Sequence, residues 1–228
     1  MHSVIAIALA LALGISTGVW GDASVNVGAG KILHVPVPDG FAALGDSDPS
    51  FREFVARARG PGHRFLEIFL SRQDFQALTS GSNPPRNRML SMDLVESEQG
   101  DLWTVEGFQR YVRVIHNMDM DHPDRIASAI QQLYADKQAS GAELPPASKP
   151  IYLGLVIDQP NAVGVMRGMV VNDPAGTDRQ IISNTYVYVK GRMIVLNLSA
   201  HGRGDDDVRW VRETSKMWAT KLLATNGD

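Results

Sequence analysis

His116-Asn117-Met118-Asp119-Met120-Asp121-His122-Pro123-Asp124 brings two histidines and three aspartates into nine consecutive residues. Imidazole and carboxylate together suit zinc, manganese or iron, and a catalytic metal needs about three such ligands and an open position. On that reading His116, Asp119, Asp121 and His122 hold a metal, and the chain is a metal-dependent hydrolase. The spacing fits neither H-E-x-x-H nor a calcium loop with its glycine and terminal glutamate. A capping loop accounts for the same residues. Pro123 opens a helix, Asp121 or His122 caps it, and Asp124 sits in the first turn, where the helix dipole favours a carboxylate. Capping is the stronger reading, and no cofactor is expected.

A second polar group lies on the last hairpin. Gln180–Val189 and Arg192–Ala200 read as strands about Lys190-Gly191, the two-residue hairpin spacing. Pairing through that turn sets Val187 opposite Ile194 and Thr185 opposite Leu196 on one face. The other face pairs Tyr188 with Met193, Tyr186 with Val195 and Asn184 with Asn197, with His201 just beyond. Amide and phenol groups converging beside apolar ones are what small-ligand pockets use. Asn184, Tyr186, Tyr188, Asn197 and His201 are therefore the candidate ligand-binding residues. The competing account puts the tyrosines in the core with their hydroxyls at its rim and pairs the asparagines with each other across the strands.

Other motifs fail on chemistry. Ala200-His201-Gly202-Arg203-Gly204 lacks the third glycine of a phosphate loop, and Asp205, Asp206 and Asp207 would repel a phosphate there. Gly28-Ala29-Gly30-Lys31 lacks the upstream glycine and the following Ser/Thr of a P-loop. Gly14-Ile15-Ser16-Thr17-Gly18 spells a nucleophile elbow inside a segment that has no sheet to sit on. Glu67, between Phe65 and Phe69, suits a buried proton donor, but spacing supplies no second carboxylate. Arg52, Arg57, Arg59 and Arg64 form a basic cluster whose ordinary reading is a solvated helix face.

The scaffold for these residues is a chain of 228 amino acids with 22 basic and 25 acidic side chains and no cysteine. Disulfides, thiolate metal sites and cysteine nucleophiles are excluded, and the slight acidic excess gives nucleic acid no basic face. Met1 to Trp20 carry no charged side chain, and Val4–Ile15 is an apolar run of secretory length, short of a membrane span. The reading is a signal peptide over 1–21 with cleavage near Gly21 or Ala23, the alternative being an uncleaved anchor, followed by a flexible arm over 22–30 and a single domain over 31–228. The mature chain would then be periplasmic or secreted, without a membrane-spanning helix.

Within the domain, hydrophobic periodicity gives a strand at Lys31–Val37, a helix opened by Asp48-Pro49, strands at Arg64–Ser71 and Arg88–Glu96, and helices after Thr104 and over Asp124–Gln138. A short helix is read through Asp74–Leu78. Strands Ile151–Asp158 and Val163–Val171 precede the last hairpin, and a helix opened by Asp205–Asp207 closes the chain. Tight turns make the strands antiparallel. The fold class is α+β: an antiparallel sheet of six or seven strands with helices on both faces.

The turn Pro38-Asp39-Gly40-Phe41 after a first strand, the ending YVYVKGRMIVLNLSA and the helix DDDVRWVRETSKMWATKLLATN resemble the PsbP-like superfamily. That group includes thylakoid-lumen photosystem accessory proteins, a nuclear import factor and many bacterial exported proteins. The resemblance implies an α/β/α sandwich that works by binding, without a shared catalytic apparatus, and transfers no ligand residues. The combined expectation is an exported, non-enzymatic accessory or binding protein, contacting an envelope protein or a small molecule.

Overall fold

The computed structural model describes residues 21–57, 59, 62–82, 87–96, 102–117, 123–139, 148–173 and 176–227. Their order is β1 (Gly21–Asn26), β2 (Ile32–Val37), β3 (Phe41–Ala43), α1 (Pro49–Arg57), β4 (His63–Ser71), α2 (Arg72–Thr79) and β5 (Arg88–Val95). There follow α3 (Val105–Ile115), α4 (Pro123–Ala139), β6 (Ile151–Gln159), β7 (Ala162–Asp173), β8 (Gly176–Val189), β9 (Arg192–His201) and α5 (Asp205–Asn226). Strands β3 to β9 make one sheet in the order β3-β4-β5-β9-β8-β7-β6, antiparallel at every pairing. The chain leaves β5 through α3 and α4, enters the sheet again at its far edge, and meanders back until β9 pairs with β5.

Local chemistry explains where the elements start and turn. The Asp48 side chain accepts from Phe51 N at 2.9 Å, Ser71 Oγ from Asp74 N at 3.0 Å and Thr104 Oγ1 from Gly107 N at 3.0 Å, each satisfying an amide left over at a helix start. The β8–β9 turn is left-handed at both residues, with φ 51° at Lys190 and 72° at Gly191, as a two-residue hairpin twisted with its strands requires. That turn sets the expected register: Asn184 faces Asn197, Tyr186 faces Val195 and Tyr188 faces Met193.

Alternation along β4 divides the two faces. Phe69 meets Trp218 of α5 edge-on, with ring centroids 5.5 Å apart, while Ile68 and Leu70 pack with Val55 of α1 and Phe75 and Leu78 of α2. α3 covers the second face farther along, where Phe108 and Ile115 are buried against Met193, Val195, Val163 and Val165. Trp218 and Leu222 of α5 are fully buried on the first face, where α5 lies against β8, β9 and β2. A buried tryptophan removes about 200 Å² from water, roughly 5 kcal/mol before conformational entropy is counted. Helices therefore cover both faces of the sheet, as the sequence indicates.

Two expectations about the N-terminal end change. Lys31–Val37 reads as a strand near an edge of the main sheet, because of its prolines, and residues 22–30 read as a flexible arm. Instead β1 and β2 form a separate two-stranded sheet, with Val25 against Leu33 and Ala23 against Val35. Val25, Val27, Leu33 and Val35 join the core beneath α5, so the apparent arm has an alternating inward face. Gly28, Ala29 and Gly30, with φ of 85°, 50° and 70°, make the connecting turn. Pro36, without an amide donor, suits this peripheral pair better than the interior of a large sheet. Asn226 then fastens the hairpin: its Oδ1 accepts from His34 N at 2.9 Å and its Nδ2 donates to His34 O at 2.7 Å.

Gly164 of β7 is required by side chains of the neighbouring strands rather than by a helix. A β-carbon on Gly164 would collide with Val156 Cγ2 and lie 2.6 Å from Thr185 Oγ1. Val156 reaches that position because β6 is bulged between Leu155 and Ile157, which throws an extra side chain over its neighbour.

Candidate functional site

Between the α1–α2 cluster and α3, the second face of the sheet is polar. Asn184 on β8 and Asn197 on β9 are register partners, and Asn197 is in turn the partner of Ser91 on β5. Asn184 Nδ2 donates to Asn197 Oδ1 at 2.7 Å, and Asn197 Nδ2 donates to Asp93 Oδ2 at 2.6 Å. Arg59, just beyond α1, donates from Nε to Asp93 Oδ1 at 2.8 Å and from its terminal nitrogen to Ser91 Oγ at 2.7 Å. At the other end Arg167 on β7 donates to Asn184 Oδ1 at 3.3 Å. The result is a directed chain, Arg167 to Asn184 to Asn197 to Asp93, with a second arginine on the carboxylate. An amide can be turned end for end; here a cation at one end and an anion at the other leave each asparagine one satisfactory orientation.

Asp93 is the most enclosed member, its side chain 3 % exposed, whereas that of Arg59 is 20 % exposed. Burial raises the Asp93 carboxyl pKa above its ordinary value; Arg59, the Asn197 hydrogen bond and His63 pull it back. His63, whose register partner Val95 lies two residues beyond Asp93 on β5, is pushed below its ordinary pKa by burial, against the attraction of Asp93 and with the repulsion of Arg59. Phe65 lies beneath both guanidinium groups, Arg52 at 5.1 Å and Arg59 at 5.6 Å from the ring centre. The seam thus offers amide donors and acceptors at half-buried positions, braced at each end by charge.

The structure brings together two of the five expected ligand residues. Asn184 and Asn197 are bonded to each other at the seam. Tyr186 lies under α3, its ring 5.1 Å from that of Tyr111, and Tyr188 lies 5.7 Å from Phe108 with its hydroxyl donating to Trp103 O at 3.2 Å. Both are walls of the core under α3. His201 lies on the same face four residues along β9, about 13 Å at the usual strand rise, with Nδ1 2.9 Å from Asp178 Oδ1. Asp93, Ser91, Arg59 and Arg167 were missed. The available signal was an aspartate and a serine two apart inside the otherwise apolar strand RMLSMDLV.

His116, of the proposed metal set, has Nε2 3.2 Å from Asp158 Oδ1 on β6. Asp119, Asp121 and His122 lie outside the described residues. Among the described residues no three histidine, aspartate or glutamate side chains are grouped as a metal site requires. Asp124 sits in the first turn of α4, and its contact with Lys149, at 2.5 Å, holds the carboxyl below its ordinary range. Glu67 is committed to structure: it accepts from Arg52 at 2.6 Å and from Ile68 N at 2.9 Å. The arginine cluster is neutralised residue by residue, Arg52 by Glu67, Arg57 by Glu53, Arg59 by Asp93 and Arg64 by Glu96.

An open cleft of about 560 Å³ lies where the β8–β9 turn meets β2, lined by Lys31, Ile32, Tyr188, Lys190 and Gly191. Lys31 Nζ donates to Lys190 O at 2.8 Å, and Lys190 Nζ lies 3.4 Å from both Ile32 O and Asn226 Oδ1.

No family model matches the chain, and no curated protein does. Among solved structures, the chain is similar to Mog1 proteins. The Saccharomyces cerevisiae Ran-binding protein Mog1p is 11% identical, over 91% of this chain and 93% of that one, with a TM-score of 0.36. A mutant of Mog1 is 11% identical over 90% and 93%, with a TM-score of 0.37. These findings overturn the family suggested by the sequence resemblance: the matching structures are Mog1 proteins rather than PsbP proteins, and agreement this weak assigns no family. The residues behind the resemblance explain the error. Pro38-Asp39-Gly40-Phe41 and Lys190-Gly191 are turn chemistry, which any antiparallel fold uses.

Proposed function

We propose that this chain is an exported, non-enzymatic binding protein whose ligand contact is the polar seam between α1 and α3. The supporting observation is the chain Arg167–Asn184–Asn197–Asp93–Arg59, which places oriented amides on a sheet face otherwise filled with apolar side chains. Burying such groups costs stability unless every one is bonded, and binding sites use a few polar groups held this way in apolar surroundings. Each amide spends one N–H and one lone pair inside the chain, and the remaining amide capacity of Asn184 and Asn197 is what a polar small molecule, or a peptide of similar chemistry, would meet. Export is supported by the uncharged run Val4–Ile15, and cleavage near Gly21 or Ala23 would place the new terminus within β1.

The test is a thermal-shift panel of amino acids, sugars and dicarboxylates on the purified protein, beside an Asn184→Leu variant. A compound that raises the wild-type midpoint and leaves the variant unchanged supports the seam; a panel that shifts neither, or both equally, contradicts it. Export is checked by determining the N-terminal residue in the native compartment, an intact Met1 in the cytoplasm being the contrary result. Stoichiometric zinc or manganese, lost in a His116→Ala/His122→Ala variant, would overturn the non-enzymatic reading.

A further inference from the structure

The cleft at the β8–β9 turn carries an inference independent of the seam. Lys31 and Lys190 are 159 residues apart and converge only because the β1–β2 hairpin docks beside the turn. A lysine ammonium has three donors. Lys31 uses one of them on Lys190 O, and both contacts of Lys190 are long, at 3.4 Å. Neither ammonium lies within ion-pair distance of a carboxylate among the described residues, in contrast to the paired arginines around α1. The end of α5, reached through Asn226, carries partial negative charge and offsets part of the Lys190 charge.

The backbone gives a second indication. Lys190 stands at φ 51° in the first central position of the turn, where asparagine, aspartate or glycine costs less. A residue held in a disfavoured conformation is a pointer to what its side chain does. Gly191 follows in the left-handed region at φ 72°, and a β-carbon there would stand 3.7 Å from Lys31 Nζ, which places the Lys31 ammonium beside the turn. The volume, about 560 Å³, is within the range of small-molecule sites, and Ile32 and Tyr188 supply apolar wall beside the two charges.

We infer that this cleft binds a phosphate-bearing small molecule, with the oxyanion between the Lys31 and Lys190 ammoniums and its organic part against Ile32 and Tyr188. The experiment is a titration of the full chain with phenyl phosphate, and separately with inorganic phosphate, followed by calorimetry and by the backbone amide resonances of Lys190 and Gly191. Three variants accompany the wild type: Lys190→Asn, Lys31→Met and the double change. Lys190→Asn creates the preferred hairpin dipeptide, so its unfolding midpoint should hold or rise while binding falls.

The expected result is saturable binding of both probes, tighter for phenyl phosphate, weakened about tenfold by each single change, as the loss of a charge-assisted contact implies, and abolished by the double change. Absence of saturable binding below about 10 mM, a concentration matching only weak affinity, would overturn the inference. So would unchanged binding in the double variant while the fold is retained. Failure of the seam panel leaves this result unaffected, since the two sites share no lining residue.

Discussion

Replacing Asp93 by leucine tests the seam where it is most enclosed. Two charge-assisted hydrogen bonds disappear, from Arg59 at 2.8 Å and Asn197 at 2.6 Å. At about 1.5–3 kcal/mol for each bond to a charged group, the gross loss is roughly 3–6 kcal/mol. Two effects reduce it. The Arg59 side chain is 20 % exposed and can turn toward water, and burial already raises the Asp93 carboxyl pKa, so removing the charge relieves desolvation. The net expectation is about 2–4 kcal/mol of destabilisation, read as a lower urea midpoint at unchanged slope. Asp93→Asn is a finer probe. Its amide keeps an acceptor for Arg59 but turns a donor toward Asn197, and relief requires both asparagines to flip. Arg167 opposes that flip, so adding Arg167→Met to Asp93→Asn should cost less than the sum of the single changes. A leucine variant within about 0.5 kcal/mol of wild type, or an additive cycle, would refute the directed-chain reasoning.

Three further outcomes follow from the geometry. Gly164→Ala should destabilise by roughly 1–3 kcal/mol through overpacking, because the new methyl meets Val156 and Thr185 at once; chemical denaturation checks it, and an unchanged midpoint contradicts it. Asn226→Leu removes both bonds to the His34 backbone and should release the β1–β2 hairpin, seen as accelerated amide exchange at His34 while β5 and β9 keep their protection. The third concerns pH. His63 has a lowered pKa when folded, so the unfolded chain binds its proton more tightly, and the stability it confers above the unfolded value is lost as pH falls from about 6.5 through the folded pKa. The effect is at most about 1.4 kcal/mol per pH unit for one proton. Asp93, raised when folded, acts oppositely: its contribution is present at low pH and lost as pH rises through its folded value. His63→Gln should flatten the stability profile between its folded pKa and neutrality; an identical profile in the variant would assign the dependence elsewhere.

The legible parts of the molecule were those governed by neighbours in the chain. Lys190-Gly191 fixed a hairpin register, and with it the Asn184–Asn197 pair. Asp48, Ser71 and Thr104 stand at helix starts, the first and last of these identifiable from caps and spacing alone. Asp93 and Arg59 were not legible, because their place at the seam depends on β5 pairing with β9, roughly a hundred residues later in the sequence. No periodicity reports that pairing. β1 escaped for a different reason: Gly28 to Gly30 resemble a linker, and three inward residues, Ala23, Val25 and Val27, are too short a pattern to outweigh them. Gly164 is required by a bulge in β6 that sequence does not announce. Along α4 the periodic apolar residues Ile126, Ile130, Leu133 and Tyr134 lie outside the described side chains.

The central claim is that the Asn184–Asn197 seam is a ligand contact. Its most direct test is a nuclear magnetic resonance titration that follows the side-chain NH2 signals of the two asparagines while the compounds of the thermal-shift panel are added. A compound that binds through the seam should move both signals saturably, along with the amides of Ser91 and Asp93, and should leave α5 unperturbed. If every compound that stabilises the protein leaves those two signals in place, the seam is structural and the proposed function is wrong.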